Sequence, residues 1–479
     1  MDVGKVLVAV IAGLLVGCVD APVQPTAARP AAVSASRASS AAAPYVVEFN
    51  GDMREDFAAR VAALGGSVDY VAESAGFAGV RGLTAAAAAT LGRQTGIAAV
   101  YEDTELQLGS RAVLGDMSTA IGPTSVANPA ASFLFAFQWN MRAINAPAAW
   151  AAGNLGSANV TAAILDSGID YDGYDMAGIV DLARSTSLVP SDDAFIAANA
   201  PGRNAIDDLN GHGTNVATQV SSKGTIFAGV NSKARLIAIK AFGRTGVGTT
   251  GGVLAGLIWA ADHGADVTNM SLGAPTGVDK PANRLFVALT NRVFNYAHRA
   301  GMVVVVSAGN NATNMDNLGR AFFAYCEAPH VVCVGATGPT ASKDPVASPF
   351  SGPWTNVDAL APYSNFGRQD VTVTAPGGST FGYVSSVCPR RLAVVSPAGV
   401  VSFPCNVPPG FFLPIGVIGT SQAAPHVTGV VAQLIAKYGK RNPAQIKQLL
   451  LRGVDDLGAP GPDATYGAGR VNLAKALGL

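Results

Sequence analysis

The chain has 479 residues, more than one hydrophobic core usually serves, so two domains with tails are expected. Hydrophobic residues make up 49% of it, enough for a substantial core, and charged residues make up only 13%. The 32 basic residues balance 32 acidic ones, so no net field draws the chain toward nucleic acid or acidic membranes. We therefore expect no nucleic-acid partner.

The first residues have the pattern of an export signal. Lys5 precedes an apolar run, Val6 to Val16, that is too short to span a bilayer but suits a signal-peptide core. We assign residues 1–17 to a signal peptide and expect an extracellular or cell-envelope protein. The run ends in LVGC, which resembles the lipobox of bacterial lipoproteins and predicts lipidation of Cys18, a lipid anchor. An ordinary secretory signal that contains a cysteine is the alternative.

Four further cysteines lie in the second half of the chain. In an exported protein this number favours disulfides over metal ligands, although the sequence alone permits three pairings. We expect the local pairing, and buried free thiols are the alternative. The expected pairs are Cys326 with Cys333 and Cys388 with Cys405.

Composition and periodicity divide the rest of the amino-terminal part. Residues 18–44 are rich in Ala, Pro and Ser and predict a flexible linker. Residues 45–109 follow the order β-α-β-β-α-β of a small α+β ferredoxin-like unit, with Asp52 and Thr84 as the expected helix N-caps. Such a unit is either a binding module or an inhibitory propeptide. Residues 110–137 form a junction, loop-like as far as residue 136.

From residue 138 to residue 479 the chain alternates strands and helices. This order predicts an α/β domain with a mostly parallel central sheet and helices on both faces, whose chemistry lies at the carboxyl ends of the strands. The expected strands are Val160–Leu165, Leu236–Ala241, Val267–Met270, Met302–Val306, Val331–Val334 and Val371–Thr374. The expected helices include 251–263, 282–299 and one that begins at Asn442-Pro443.

Four residues at strand ends or helix starts could perform chemistry. Asp166 ends an apolar strand, His212 lies between glycines, Asn310 follows a run of valines, and Ser421 opens a helix. Each alone has an ordinary explanation: a turn-forming Asp or Asn, a surface His, a Ser N-cap. Together they supply an orienting carboxylate, a base, an oxyanion donor and a nucleophile, in the chain order Asp, His, Ser.

The segments around these residues are AAILDSGID, NGHGT, VVSAGN and GTSQAAPHVTG. They resemble the Asp, His, oxyanion-Asn and Ser motifs of the subtilisin-like serine proteases, and INAPAAW, TNMSLG, YSNFG and VTAPGG add further matches in the same order. The chain departs from the family pattern at Asn215–Thr218, at Gly173–Met176, and in extra segments at 338–360 and 382–414.

The resemblance implies a secreted serine endopeptidase, made as an autoprocessed zymogen, that needs no cofactor for its chemistry. Ser421 would be the nucleophile, His212 the base and Asp166 its orienting partner, with Asn310 and the Ser421 N–H in the oxyanion hole. Protein or peptide substrates would bind as an added strand. The implied substrate-binding residues are Gly246, Gly248, Ser271, Leu272 and Gly273.

The resemblance also implies that residues 45–109 are the protein's own propeptide, a partner that inhibits the cleft. It makes structural calcium an option, and the candidate ligands are Asp172, Asp175, Asp207 and Asp208. No EF-hand spacing occurs, so solvated acidic loops are the alternative and the metal site stays unassigned. Two rival functions remain: an inactive relative that binds peptides, and an acyltransferase or esterase with the same triad.

Overall fold

The computed structural model describes residues 43–109, 111–116, 118–119, 127–273, 278–323, 325–343, 350 and 352–479. The signal peptide at 1–17, Cys18 and the linker up to residue 42 lie outside the described residues. Within the described part of the chain, no helix is both long and apolar enough to cross a membrane.

The amino-terminal domain has the predicted β-α-β-β-α-β order, and its antiparallel sheet has the strand order β2-β3-β1-β4. Both helices pack on one face of this sheet, around the buried Phe57, Val61 and Leu91. The elements are β1 Ala43–Phe49, α1 Phe57–Ala63, β2 Ser67–Ala72, β3 Phe77–Leu83, α2 Ala85–Leu91 and β4 Ile97–Glu102.

Of the two predicted helix N-caps in this domain, one is confirmed and one is wrong. Thr84 does cap α2, since its Oγ1 accepts the N–H of Ala87 at 3.2 Å. The predicted cap at Asp52 is wrong, because α1 begins only at Phe57. A turn precedes it, in which the Phe57 N–H donates to the Arg54 carbonyl at 3.0 Å.

The junction contains strands where loops were predicted. Its strands are β6 Arg111–Leu114 and β7 Ser118–Thr119, and β5 Glu105–Gln107 lies just before it. Each pairs with a strand from far along the chain, so the loop prediction for residues 110–136 is wrong there. Periodicity within so short a segment could not reveal these strands, since their partners are tertiary.

The second domain is built on the predicted parallel sheet, with the strand order β26-β27-β20-β16-β14-β12-β8-β10-β9. The pairings from β9 to β27 are parallel; β26 and β19 join antiparallel. The sheet strands are β8 Thr161–Asp166, β9 Thr186–Ser187, β10 Arg235–Lys240, β12 Val267–Met270, β14 Val303–Ser307, β16 Val332–Gly338, β19 Ala359–Leu360, β20 Val373–Pro376, β26 Val454–Asp455 and β27 Arg470–Val471.

Helices cover both faces of this sheet, as predicted. Strand β14 shows why: Val303 and Val305 belong to one buried cluster and Val304 and Val306 to the other, because successive side chains point to opposite faces. The helices are α3 Trp139–Ala143, α4 Ala146–Ala151, α5 Pro190–Asn199, α6 His212–Val220, α7 Thr250–Asp262, α8 Arg284–Arg299, α9 Thr420–Tyr438, α10 Pro443–Arg452 and α11 Leu473–Ala476.

Further short strands lie outside the main sheet. These are β11 Val247–Thr249, β13 Val278–Asp279, β15 Ala321–Phe322, β17 Ala341–Ser342, β18 Trp354–Thr355, β21 Val384–Val387, β22 Val394–Val395, β23 Val401–Ser402, β24 Phe411–Phe412 and β25 Pro414–Ile418. We call residues 382–414 the rim insertion; β21 lies within it, and β25 begins at its last residue and pairs with β21.

Both disulfides have the expected local pairing. Cys326 is bonded to Cys333 at 2.02 Å, and Cys388 is bonded to Cys405 at 2.07 Å. The second bond closes the rim insertion on itself and lies in a small apolar cluster with Leu392.

Candidate active site

Strand β8 and helix α6 bring a carboxylate and an imidazole together. Asp166 is the last residue of β8 and His212 the first of α6, and both are buried. The His212 Nδ1 lies 2.7 Å from the Asp166 Oδ1. An ionised carboxylate at this distance accepts the Nδ1 proton and leaves Nε2 as the acceptor of the ring.

The pKa of His212 reflects two opposed effects. Burial disfavours the charged imidazolium and lowers the pKa, while the Asp166 carboxylate raises it by its charge and its hydrogen bond. The net direction is upward from the ordinary value of 6.5. A partnered imidazole of this kind is a stronger base than a free one.

Asp208 organises the loop that carries His212. Its carboxylate accepts the backbone N–H groups of Asn210, Gly211 and Thr214 at 2.8–3.0 Å and the Ser167 hydroxyl at 2.9 Å. Sequence reasoning assigned this residue only to a metal. The signal that could have identified its role is an Asp shortly before the first turn of a helix, a position that suits capping.

A glycine lets the Asp166 and His212 loops approach each other. A Cβ at Gly213 would lie 2.2 Å from the Gly168 carbonyl oxygen, so no larger residue fits without backbone movement. The Gly213 N–H also donates to the Ser167 hydroxyl at 2.9 Å. The glycine that follows His212 in the sequence therefore has a steric explanation.

Helix α9 brings Ser421 to the same edge of the sheet. Ser421 is the second residue of α9, which packs against α6, and its side chain is almost fully buried. The preceding Thr420 donates both its backbone N–H and its hydroxyl to the Asn310 Oδ1, each at 2.9 Å. These two donors fix the amide so that its NH₂ group points away from α9.

The NH₂ group of Asn310 donates to the backbone carbonyl of the residue just before the junction. The Asn310 Nδ2 lies 2.7 Å from the carbonyl oxygen of Gly109. On the amino side of Gly109, β5 pairs antiparallel with β11, and the Leu108 N–H donates to the Gly246 carbonyl at 2.9 Å. On the carboxyl side, β6 pairs antiparallel with β25. The chain is thus paired as an added strand on each side of Gly109, at residues 105–107 and at residues 111–114.

The predicted substrate-binding residues fall into two groups. The Gly246 carbonyl accepts the N–H of Leu108, and Gly248 lies opposite Leu106 in the pairing of β11 with β5. Ser271 instead donates its hydroxyl to the main-chain oxygen of Ser421 at 2.6 Å. Its neighbours are the buried Leu272 and the half-buried Gly273.

The histidine of the Ser421 segment, His426, is packed in the interior. The His426 Nδ1 lies 2.7 Å from the Gln422 carbonyl, and its Nε2 lies 2.8 Å from the Asn140 Nδ2. Burial lowers the pKa of His426 to about 4, so the ring is neutral near pH 7. A neutral ring that donates from Nδ1 and accepts at Nε2 satisfies both contacts.

The candidate calcium ligands are already bonded to donors of the protein. Asp172 and Asp207 form ion pairs with Arg203, and Asp172 also pairs with Arg390. Burial would raise the pKa of Asp172, but these guanidinium groups lower it to about 2. Asp175 accepts the N–H groups of residues 226 and 227.

These four carboxylates therefore do not fit a calcium site, since arginine and N–H donors occupy their oxygens. Within the described ranges, no cluster of three or more His, Cys, Asp or Glu residues is arranged to hold a metal. The proposal of structural calcium keeps no assigned residues.

The departures from the family pattern contact the rim insertion. The buried Asn215 donates its Nδ2 to the Val384 carbonyl and to the Ser386 hydroxyl, each at 3.1 Å. The Tyr174 hydroxyl accepts the N–H of Gly410 at 2.8 Å. The unusual residues beside the Asp and His motifs thus bind a segment that is itself additional.

Comparison with known proteins identifies the class of this fold and site. Residues 157–469 match the model of the subtilase family. The chain is 30% identical to a thermophilic serine proteinase of Bacillus sp. (strain AK1) over 325 residues, 67% of this chain and 62% of that protein. It is 29% identical to subtilisin E of Bacillus subtilis (strain 168) over 335 residues, 70% of this chain and 69% of that protein.

A solved structure extends the likeness in fold. The epidermin leader peptide processing serine protease of Staphylococcus aureus superposes with a TM-score of 0.66 at 22% identity, over 92% of this chain and 99% of that one. The chain belongs to the subtilase family and is a subtilisin-like serine endopeptidase that acts on protein or peptide substrates. Its family chemistry needs no cofactor.

Proposed function

We propose that this subtilase is made as a zymogen that cuts its own Gly109–Ser110 bond, with Asp166, His212, Ser421 and Asn310 as its catalytic groups. The observation that carries the proposal is the 2.7 Å hydrogen bond from the Asn310 Nδ2 to the Gly109 carbonyl. A backbone carbonyl at an oxyanion donor is the carbonyl that a neighbouring nucleophile attacks.

The cleavage follows from the roles of these groups. The Ser421 Oγ attacks the Gly109 carbonyl carbon while the His212 Nε2 accepts its proton, and Asp166 stabilises the imidazolium. Asn310 and the Ser421 N–H stabilise the oxyanion. The C–N bond then breaks, the proton passes to the amine of Ser110, and water hydrolyses the acyl-enzyme.

Strand pairing supports the assignment of the bond. Residues 105–107 and 111–114 are both extended, and each is held by an antiparallel partner, so the Gly109 carbonyl lies between two fixed strands. Because these strands already hold the Gly109 carbonyl in place, much of the entropy that the reacting groups must lose is lost before the reaction begins, which lowers its barrier. We assign Gly246, Gly248, Ser271, Leu272 and Gly273 to substrate binding, as the family resemblance implies.

Contacts across the domain boundary support a propeptide role for residues 45–109. The Asp103 carboxylate accepts the Thr250 hydroxyl and the Gly251 N–H, each at 2.7 Å, at the amino end of α7. An ion pair joins Glu48 to Arg292 at 2.8 Å. A carboxylate at a helix amino terminus is favourable, so the domain docks with its last strand leading into the cleft.

Export is part of the proposal. Two disulfides suit a chain that folds in an oxidising compartment. The signal-like segment at 1–17 and the lipobox-like Cys18 favour a cell-envelope or extracellular enzyme. Lipidation is tested by metabolic labelling with a fatty-acid analogue, with Cys18→Ala as the control.

The experiment compares the full chain with its Ser421→Ala variant. The unaltered chain should yield a mature form whose amino terminus is Ser110, react with a fluorophosphonate probe and hydrolyse casein. Ser421→Ala should remain full length and inactive, with a loss on the order of 10⁶ in kcat, the size known for subtilisin itself. Ser157→Ala, which alters a hydroxyl bonded only to a local turn, is the matched control.

Three results would contradict the proposal. Processing by the Ser421→Ala chain alone would show that the nucleophile lies elsewhere. A mature terminus other than Ser110 would move the first cleavage to another bond. An unlabelled, folded protein without residues 45–109 would favour the peptide-binding relative that lacks activity.

A further inference from the structure

On the carboxyl side of Gly109, residues 111–114 form β6, which pairs with β25 at the end of the rim insertion. In the pairing of β6 with β25, Val113 lies opposite Gly416 and Leu114 lies opposite Ile415. The Gly115 N–H donates to the Pro414 carbonyl at 2.9 Å, and β7 then pairs with β24. The contact therefore extends well beyond the residues that adjoin the Gly109 carbonyl.

Strand β25 has a fixed position relative to the nucleophile. It ends at Ile418, and α9, which carries Ser421, begins two residues later. Its hairpin partner β21 is attached to α6 by Asn215 and by the Gln219 Nε2, which donates to the Ser385 carbonyl at 3.1 Å. A strand that pairs with β25 thus has a defined register with respect to the bond that is cut.

The side chain of Leu114 packs on an apolar cluster formed by the rim insertion and β25. The cluster is formed by Cys388, Leu392, Cys405, Ile415 and Val417, and Leu114 is half-buried against it. Opposite residues of an antiparallel pair project to the same face, so Leu114 lies beside Ile415. A Cβ at Gly211 would lie 3.1 Å from the Leu392 Cδ1 and 3.7 Å from the Ile415 Cδ1, so the cluster also adjoins the His212 loop.

We infer that β25 and the Cys388–Cys405 cluster form a substrate-binding surface for residues on the carboxyl side of the cleaved bond. The surface binds an extended strand and selects an aliphatic side chain at the fifth residue after that bond, the position of Leu114. The inference rests on the proposed cleavage at Gly109–Ser110, which defines this count. Residues 111–114 occupy the surface in the zymogen and leave it once the bond is cut.

The physical basis is the combination of two kinds of contact. Main-chain pairing with β25 gives affinity for an extended peptide irrespective of its sequence, while the cluster discriminates between side chains. A half-buried leucine is expected to favour binding about tenfold over a charged residue at the same position. The substrates are therefore proteins or peptides that offer at least five residues after the cleaved bond.

The test uses quenched fluorescent peptides and the mature enzyme obtained from the full chain. The parent peptide has the sequence of residues 105–116. A second peptide has Asp in place of the leucine that corresponds to Leu114. A third peptide is truncated three residues after the glycine that corresponds to Gly109. We expect kcat/KM for the parent to exceed that for each of the other two about tenfold. All products are identified by mass, so that the bond cut is known.

Two enzyme variants locate the selectivity. Ile415→Ala should reduce the ratio of the parent rate to the Asp-peptide rate to about two to three, because it removes most of the side chain beside Leu114. The ratio compares two substrates on one enzyme, so it does not depend on how much of the variant folds. Val400→Ala lies in the same insertion at 64% exposure and should keep the full ratio.

The results separate this inference from the proposed function. No cleavage, or cleavage at another bond, contradicts the proposed Gly109–Ser110 site. Cleavage at that bond with equal kcat/KM for all three peptides overturns only the binding surface, and it would leave β6 as a strand that stays bound after processing. A full preference for leucine in Ile415→Ala would overturn it as well.

Discussion

Two different parts of the molecule hold the chain on the two sides of Gly109. On the amino side, β5 pairs with β11, and Leu106 is only 5% exposed in the large cluster of the sheet domain. On the carboxyl side, β6 pairs with β25, and Leu114 is half-buried on the small cluster of the rim insertion.

The difference shows how the fold divides its tasks. The amino side uses segments that match the family pattern and lie on the sheet core. The carboxyl side uses β25, which follows the rim insertion and pairs with its strand β21. The family pattern lacks the rim insertion, which has its own disulfide and accepts hydrogen bonds from Asn215. The proposed catalytic groups adjoin Gly109 between these two sides, so the two sides should respond to different substitutions, while changes at the centre should affect both equally.

The largest effect is expected from Asp166→Asn, which alters the shared centre. An amide in place of the carboxylate cannot hold the required tautomer of His212, so kcat should fall by about 10⁴ for every peptide, long or short. In the proposed mechanism His212 must be neutral to act as the base, and its pKa is raised above 6.5, so the unaltered enzyme should lose activity as the pH falls through a value above 6.5. Without the Asp166 carboxylate, only the charge of Asp208 opposes the effect of burial on the pKa of His212, so the acid limb should move to lower pH.

The measurement is the pH dependence of kcat/KM for the parent and truncated peptides. Asp181→Asn is the control, because Asp181 pairs with Arg184 in an exposed turn. If kcat/KM of Asp166→Asn falls at the same acidic pH as that of the unaltered enzyme, the fall reflects the protonation of a group other than His212. If Asp166→Asn lowers the rate by different factors for the parent and truncated peptides, the centre does not act equally on substrates bound at one side and at both sides.

A smaller effect is expected on the amino side. Replacing the leucine that corresponds to Leu106 by alanine in the parent peptide removes a nearly fully buried side chain, which should lower kcat/KM about 30-fold. The matched change at the position of Leu114 should cost about tenfold or less, because that side chain is only half-buried. Steady-state values of kcat/KM for the parent peptide and the two alanine-substituted peptides measure both losses. A greater loss at the Leu114 position would reverse the comparison.

The sequence predicted the sheet domain closely because its signals are local. Strand β12 has the predicted bounds, and β8 and β14 differ by one residue at each end. Continuous apolar runs that end in Asp166 and near Asn310 mark strands that are buried on both faces. Chain order alone then brings these ends to one edge of the sheet.

The carboxyl side could not be predicted because its signals are tertiary. Residues 111–114 become a strand only through β25, which lies about three hundred residues later in the chain. Asn215 was identified as a departure, but its partners on β21 are invisible to periodicity. The acidic residues 172, 175, 207 and 208 suggested a metal site. The sequence could not show that arginine side chains and N–H groups already donate hydrogen bonds to these carboxylates.

The smallest effect, and the most selective, is expected from removal of the Cys388–Cys405 disulfide by a double alanine substitution. The two cysteines are 17 residues apart, and the loss of loop closure should lower the free energy of unfolding by about 3 kcal/mol in the chain-entropy model. The matched pair, Cys326 and Cys333, is 7 residues apart and should cost about 2 kcal/mol.

Activity distinguishes the two pairs better than stability does. The 388–405 sulfurs belong to the cluster beneath Leu114, so their loss should reduce the preference for leucine at the fifth position to a few-fold while the truncated peptide is cut as before. The 326–333 pair lies in the cluster of the sheet domain and should leave that preference unchanged. Denaturant unfolding gives the first quantity and the ratio of peptide rates the second. Equal loss of preference in both variants would mean that the rim insertion is not an independent binding element, because general loosening of the domain would then account for the result.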